Sequence, residues 1–447
     1  MTCMTTPAPS TAYLDHLVDE TQERMRTLAG RPASEPDGGA PEALGAAVEA
    51  AADGLREELG GIVETLHAQP ETAFQEHESA RLLVETVRRH GIEAELGAHG
   101  VPTAFRAELG TAGSGPTIAI CAEYDALPGI GHACGHNVIA AAGVGAFLAL
   151  RATMTGDHAP AGRVVLLGTP AEEGHSGKEV LARNGALDGI DAAVMVHPYP
   201  HDVADQVWLG RRLLTWTFTG RSAHASAQPF MGRNALDAAN LAYQGIGLLR
   251  QQMPPVDRIH ATVVEGGTSP NIVPDRAVMR LYARSKYPDT LKDLSRRLDD
   301  VARGAALMTG TEVEISWDDG ALPSLPVRTS TTLTERWVAA QRRRGREPLP
   351  AGVLSETIAA STDFGNVSYR LPGIHPLIQI SDPGVALHTP AFAEAAASPA
   401  ARDAAVDGAV GLARTALDYL CDADLRRAVA EEFAAQGGPI DVETYFG

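Results

Sequence analysis

Cysteine is scarce: Cys3, Cys121, Cys134 and Cys421 are the whole complement of a 447-residue chain. So few thiols at such wide, irregular spacing argue against a disulfide framework. Cys134 stands between two histidines, which favours a free or metal-bound thiol. Positive charge is in deficit as well. The net charge of −19 excludes the basic face that nucleic acid or an anionic membrane requires, and serves solubility instead. Long apolar runs are missing. The longest, Val138 to Leu150, is too short to span a bilayer and reads as a buried helix. The opening MTCMTTPAPSTAYLDHL has no basic segment followed by an apolar one, so no secretory signal and a cytoplasmic location are expected. There is no internal repeat.

What is present is enough apolar material, 44% of residues, to build large cores. The length predicts two or three domains. Residues Thr11 to Leu28 read as a helix, and Ala29 to Pro41 as a loop or linker. Apolar spacing from Pro41 to His67 and from Glu76 to His90 predicts helices. Strand-like runs then alternate with helices: Thr103–Leu109, Thr117–Cys121, the Val138 helix, Arg163–Leu167, a helix from Gly177, and Ala192–Val196. This order predicts a three-layer α/β domain with a mostly parallel sheet. After Val207 the order becomes β-α-β-β-α-β, that of a ferredoxin-like α+β sandwich inserted into the first domain. Alternation resumes near Pro323, with Ile374–Ile380 as a strand and Pro399–Tyr419 as a helix started by Ser398. The expected division is an extension at 1–40, a first domain at 41–205 and 323–447, and an insert at 206–322.

The densest chemistry is Cys121 to Ala142. Glu123, Asp125, His132, Cys134 and His136 all follow one buried strand, at the end where open α/β sheets bind ligands. Thiolate and imidazole suit zinc and its neighbours. Asp125 either binds metal or orients a histidine. Glu123 and His132 are either functional or structural. Further along, Glu172-Glu173 end another buried strand. Adjacent acids usually mark a solvated loop, but here they can divide labour between metal ligand and general base. His197-Pro198 ends a third strand, and His388 follows a strand-and-loop unit in the returning part. Cys134, His136, Glu173, His197 and His388 together exceed the four ligands of a single tetrahedral zinc, which suggests two metals sharing a ligand. In the insert, Arg284 and Asn271 suit a carboxylate, though a surface arginine and a turn asparagine would look the same. His224 stands in Ser-Ala-His-Ala-Ser.

Seven runs carry a resemblance: Ala-Glu-Tyr-Asp-Ala-Leu-Pro at 122–128, His-Ala-Cys-Gly-His-Asn at 132–137, Pro-Ala-Glu-Glu-Gly at 170–174, Ser-Ala-His-Ala-Ser-Ala-Gln-Pro at 222–229, Asn-Ile-Val-Pro-Asp at 271–275, Ser-Thr-Asp-Phe-Gly-Asn-Val-Ser at 361–368 and His-Thr-Pro at 388–390. In this order they resemble the aminoacylase and glutamate carboxypeptidase superfamily of dinuclear metallohydrolases. Within it they are most similar to the aminobenzoyl-glutamate hydrolase and β-alanyl-lysine dipeptidase subgroup. The similarity spans roughly residues 45 to 420.

The resemblance implies a catalytic domain with an inserted lid and dimerisation domain. It implies two divalent metals (zinc or manganese, with cobalt as the alternative) on Cys134, His136, Glu173, His197 and His388. Glu172 is the implied general base and Asp125 the acid beside the metals. His224 is implied to stabilise the oxyanion in the partner subunit's site of a homodimer. Asn271 and Arg284 are implied to bind the substrate carboxylate. The expected reaction is hydrolysis of an amide bond in a small N-acyl amino acid or dipeptide-like substrate. The competing expectations are a deacylase of acetylated or succinylated biosynthetic amines, and a non-catalytic binding protein on the same fold. Many superfamily members have an imidazole and carboxylates where this chain has Glu123 and Cys134.

Overall fold

A computed structural model describes residues 10–28, 36–154 and 159–446. Helices Ala12–Leu28, Glu42–Gly54, Arg56–Ala68 and His77–Arg89 come first. The linker expected at Ala29–Pro41 falls partly outside the described residues. The single helix expected over Pro41–His67 is two. It breaks at Leu55 (φ −89°, ψ −1°), whose N–H donates back to Ala52 at 3.1 Å and tightens the last turn. Gly54, a poor helix former, stands at that break.

The main sheet uses β1 (Ala94–Leu96), β2 (Phe105–Gly110), β3 (Thr117–Ala122), β4 (Arg163–Gly168) and β5 (Ala192–Val194). The short strand β6 (His197–Tyr199) follows. The insert supplies β7 (Gly210–Thr219), β8 (Arg258–Glu265), β9 (Arg276–Ser285) and β10 (Glu312–Trp317). The returning chain adds β11 (Gly373–Ile374) and β12 (Leu377–Gln379). The main sheet runs β1-β2-β4-β3-β5-β11. Its β4-β3-β5-β11 part is parallel, and β1 and β2 add antiparallel pairs at one side. The strand expected at Ile374–Ile380 divides in two, because Pro376 has no N–H to give the ladder.

β3 is buried along its whole length, as a central parallel strand must be. Every residue of the helix His136–Leu150 is buried too. Helix Pro399–Cys421 packs against it, and a Cβ at Gly145 would lie 2.7 Å from Leu59 Cδ1 and 3.0 Å from Ala409 Cβ. Ser398 caps that second helix by accepting from the Ala401 N–H.

The insert forms an antiparallel sheet in the order β10-β7-β9-β8, the ferredoxin-like arrangement. Leu214, Trp216 and Phe218 of β7 and Ala277, Met279, Leu281 and Ala283 of β9 face helices Ala235–Leu249 and Pro288–Thr309 in one core. By the two-residue period, Arg280, Tyr282 and Arg284 of β9 point to the other face. The two connections to the insert lie side by side: Arg211 N–H donates to Ser324 at 2.7 Å, and Ser324 N–H returns to Arg211 at 2.8 Å.

Candidate metal centre

Four chain turns just past the carboxyl ends of β3, β4 and β5 and in the returning chain build the site. The first carries Glu123, Tyr124 and Asp125, and Tyr124 is pinned by donating from its hydroxyl to Thr103 O at 2.5 Å. Cys134 and His136 follow at the mouth of the long helix. Between them Gly135 has φ 81°, and a Cβ there would lie 2.9 Å from Pro198, so only glycine satisfies both demands. The second turn, after β4, passes through left-handed Ala171 (φ 59°) and Ser176 (φ 58°) and carries Glu172 and Glu173. His197 opens β6. His388 (φ 60°) is tied to the Cys134 turn by its N–H, which donates to Ala133 O at 2.9 Å.

Cys134 lies with His136 and His197, Cys134 with Glu173 and His388, and His136 with Glu172 and Glu173, each group having ligand atoms within 4.8 Å of one another. Cys134, His136 and Glu173 each belong to two groups, so the groups overlap into one cradle. Asp125 belongs to none. Its Oδ1 accepts from His136 Nδ1 at 2.9 Å and its Oδ2 from the Glu173 N–H at 2.8 Å, so it orients two neighbours.

The donor atoms fit a metal. His136 gives its Nδ1 proton to Asp125, and His197 gives its own to Pro198 O at 2.7 Å, so both Nε2 atoms are left facing inward. Cys134 Sγ stands 3.5 Å from His197 Nε2, and His388 Nε2 stands 3.4 Å from Glu173 Oε1. Zinc–nitrogen bonds of about 2.0–2.1 Å and zinc–sulfur bonds of about 2.3 Å put tetrahedral neighbours about 3.3–3.6 Å apart. His136 Nε2 and Glu173 Oε1 are buried without a hydrogen-bond partner among the described residues.

In the absence of metal the cradle retains protons. Burial, and then the charge of Glu173, push Glu172 and Cys134 well above their ordinary ranges. Burial alone would lower His136, but Asp125, Cys134 and Glu123 outweigh it and hold it up. Burial and the charge of His136 lower His197 to about 3, so it is neutral. Metal binding to such a site displaces protons.

Beneath the cradle lies a buried ionic trio that the residue pattern does not reveal. Lys178 Nζ pairs with Glu123 Oε1 and sits 2.6 Å from Asp363 Oδ1, while Asp363 Oδ2 accepts the Lys178 N–H at 2.8 Å. Glu123 Oε2 is 3.4 Å from His136 Nε2. Burial first, partly offset by Lys178, raises Glu123 to about 6. A lysine in a short helix carries no signal of this. Asp363 lies within the Ser-Thr-Asp-Phe-Gly-Asn run, which is the available hint. Glu76, whose Oε1 accepts the Ala171 N–H at 2.8 Å, is equally hidden in the sequence. His132 is buried, and burial lowers it to about 3, so it is neutral.

The insert's residues separate. His224 and Asn271 are brought together: Ala225 N–H donates to Asn271 O at 3.1 Å, and Val273 N–H to Ala223 O at 2.9 Å. Both are exposed. Arg284 is not with them. It lies at the opposite end of β9, roughly 26 Å from Arg276 at about 3.3 Å per residue.

A family model described as peptidase family M20/M25/M40 matches residues 119–402. The chain belongs to the M20 peptidase family. A Xaa-Arg dipeptidase of Mus musculus is 37% identical over 390 residues, covering 85% of this chain and 90% of that protein. A p-aminobenzoyl-glutamate hydrolase component of Escherichia coli (strain K12) is 28% identical, covering 86% of this chain and 94% of that protein. Among solved structures, a dinuclear metal-binding M20 peptidase of Bacillus subtilis is 25% identical with a TM-score of 0.61, covering 80% of this chain and 99% of that one. A solved structure from methicillin-resistant Staphylococcus aureus has a TM-score of 0.68 at 21% identity, covering 83% of this chain and 99% of that one, and supports the fold. This M20 chain is a metal-binding hydrolase of carbon–nitrogen amide bonds.

Proposed function

We propose that this M20 enzyme cleaves the amide bond of a small N-acyl amino acid or dipeptide and releases an amino acid with a free carboxylate. One observation carries the reading. The Nε2 atoms of His136 and His197 are turned into the cradle by anchors on their other nitrogens, and Glu172 lies in the same cradle without a hydrogen-bond partner among the described residues. The names of the relatives, Xaa-Arg dipeptidase and p-aminobenzoyl-glutamate hydrolase, support the substrate class.

Cys134, His136, Glu173, His197 and His388 would hold two divalent metals, zinc or manganese, with Cys134 placed to be shared. Bound there, the metals supply Lewis-acid polarisation of the scissile carbonyl and lower the pKa of water. Glu172 takes the attacking water's proton and passes it to the leaving nitrogen. Asp125 keeps His136 in the ligating tautomer. His224 Nδ1 accepts from the N–H groups of Ser226 at 3.3 Å and Ala227 at 3.2 Å, so its proton is on Nε2, which donates to the developing oxyanion.

His224 and Asn271 serve the site of a second copy, because they lie at the far end of the lid from Arg284. A homodimer through the lid suits its exposed apolar residues. Strand β8 is a sheet edge with Val263 and Val264 40% and 54% exposed, and Tyr243 and Leu248 stand out from the neighbouring helix. Arg284 grips the carboxylate of its own chain's substrate. The lid closes about hinges near residues 205 and 325. The test is a panel of N-acyl amino acids and dipeptides with the zinc- or manganese-loaded protein, read by mass spectrometry. Hydrolysis to a free amino acid is expected, and no hydrolysis of any member would overturn the reading.

A further inference from the structure

Three arginines stand in one row across the lid sheet. Arg211 of β7 is directly opposite Arg284 of β9, and Arg284 is opposite Arg258 of β8. Residues opposite one another on adjacent strands share a face, about 4.8 Å apart strand to strand. Like charges so placed repel, and a sheet does not keep them without a reason. The row therefore needs counter-charge.

The described chain supplies none to its centre. Arg284 is half-buried, and its only side-chain partner among the described residues is the ring of Tyr282, 5.0 Å from the guanidinium. Arg211 approaches the same ring at 5.6 Å. Asp318, whose field reaches Arg211, is bound by Arg212 at 2.6 Å. Arg258 is tied to the carbonyls of Pro255 and Asp257 at 2.6 and 2.9 Å, so its charge joins the row while these donors are taken up.

The row also reaches the cradle. Arg211 donates to Gly174 O at 3.3 Å, to Ser176 Oγ at 3.0 Å and to Ser324 Oγ at 3.3 Å. Gly174 follows Glu173, a proposed metal ligand. Arg211, one of the two guanidinia beside Tyr282, is thus attached to the loop that carries the proposed base.

We infer that Arg211 and Arg284 form a seat for two carboxylates, so the amino acid released is acidic, aspartate- or glutamate-like. This rests on the amidohydrolase reading and deepens it. One α-carboxylate engages one guanidinium fork. A second guanidinium on the same ring matches a second carboxylate on the side chain. A neutral side-chain amide leaves that charge unmet, and a basic side chain meets like charge.

The experiment compares alanyl-glutamate, alanyl-glutamine and alanyl-arginine with the metal-loaded enzyme, and titrates free L-glutamate, L-glutamine and L-arginine into it by calorimetry. Glutamate is expected to lead glutamine by about 10–100-fold in kcat/KM and in affinity, as charge-assisted hydrogen bonds of this kind allow. Arg284→Gln and Arg211→Gln should each bring that ratio close to one. Loss of packing alone would lower all substrates together. If Arg211→Gln does not fold, Arg284→Gln carries the test. Glutamine or arginine handled as well as glutamate overturns the seat and leaves the amidohydrolase reading standing. If neither these dipeptides nor any N-acyl amino acid of the panel is cleaved, that reading falls, and calorimetry with the three free amino acids still decides the seat.

Discussion

The metal cradle and the lid treat their polar groups in opposite ways. In the cradle the proposed histidine ligands His136 and His197 each have the non-ligating nitrogen tied, to Asp125 at 2.9 Å and to Pro198 at 2.7 Å. Glu123 and Asp363 share Lys178, deep in the protein. In the lid, Arg284 has no ion-pair partner among the described residues, and His224 and Asn271 are exposed. His136 and His197 are oriented in the cradle before anything binds, so they need little ordering when metal arrives. The lid is unfinished by itself. In the proposed reading its groups are completed by substrate and by a second copy. Preorganisation lies where the reacting atoms are fixed, and adaptability where different substrates must be gripped.

The largest effect should come from the cradle's proposed base. Glu172→Gln removes the proton acceptor and is expected to lower kcat by about 10³–10⁴-fold while metal content, measured by atomic absorption, stays unchanged. Chelation should abolish the activity of the parent enzyme reversibly. If Glu172→Gln keeps normal turnover, the division between a finished floor and its working base fails.

A smaller effect should come from the lid. His224→Ala removes one oxyanion donor, with an expected loss of about 10²–10³-fold in kcat. Because the donor is proposed to act on the other copy, mixing His224→Ala with Glu172→Gln protomers should restore activity in mixed dimers, each of which keeps one complete site. No recovery on mixing would put His224 back at its own chain's site and weaken the contrast. Smaller again is Asp125→Asn, which keeps the shape and weakens the grip on His136. Metal affinity by competition with a chelating dye should fall about 10–100-fold.

The cradle is legible in the sequence because its chemistry is local to strand ends. Acids, imidazoles and a thiol at Cys134, His136, Glu172, Glu173 and His197 follow buried strands, and short continuous apolar runs place those strands. What escapes depends on partners distant in sequence. A lysine in the helix Gly177–Arg183 looks like any surface lysine until Glu123 and Asp363, 55 and 185 residues away, close around it. Nor does any spacing rule show that Arg211 faces Arg284, since that follows from the β7–β9 register. The break at Leu55 escapes because the apolar spacing continues through it while the backbone does not.

The smallest effect on turnover, yet a direct probe of how complete the floor is, belongs to Glu76. It holds the Ala171 N–H, and with it the turn into Glu172, but touches no proposed ligand. Burial, and then the charge of Asp125, raise Glu76 to about 7 from its ordinary 4.5. The folded state therefore binds a proton more tightly than the unfolded chain does. Below about pH 4.5 both states are protonated, and the protonated side chain is the one the fold prefers. As pH rises from about 4.5 to about 7 the unfolded chain ionises first, and this residue's contribution to stability is lost. Metal-free protein should lose urea stability across that window relative to Glu76→Gln, which has no proton to release. Equal pH slopes in the two proteins would mean that Glu76 is ionised in the fold, with a compensating charge nearby.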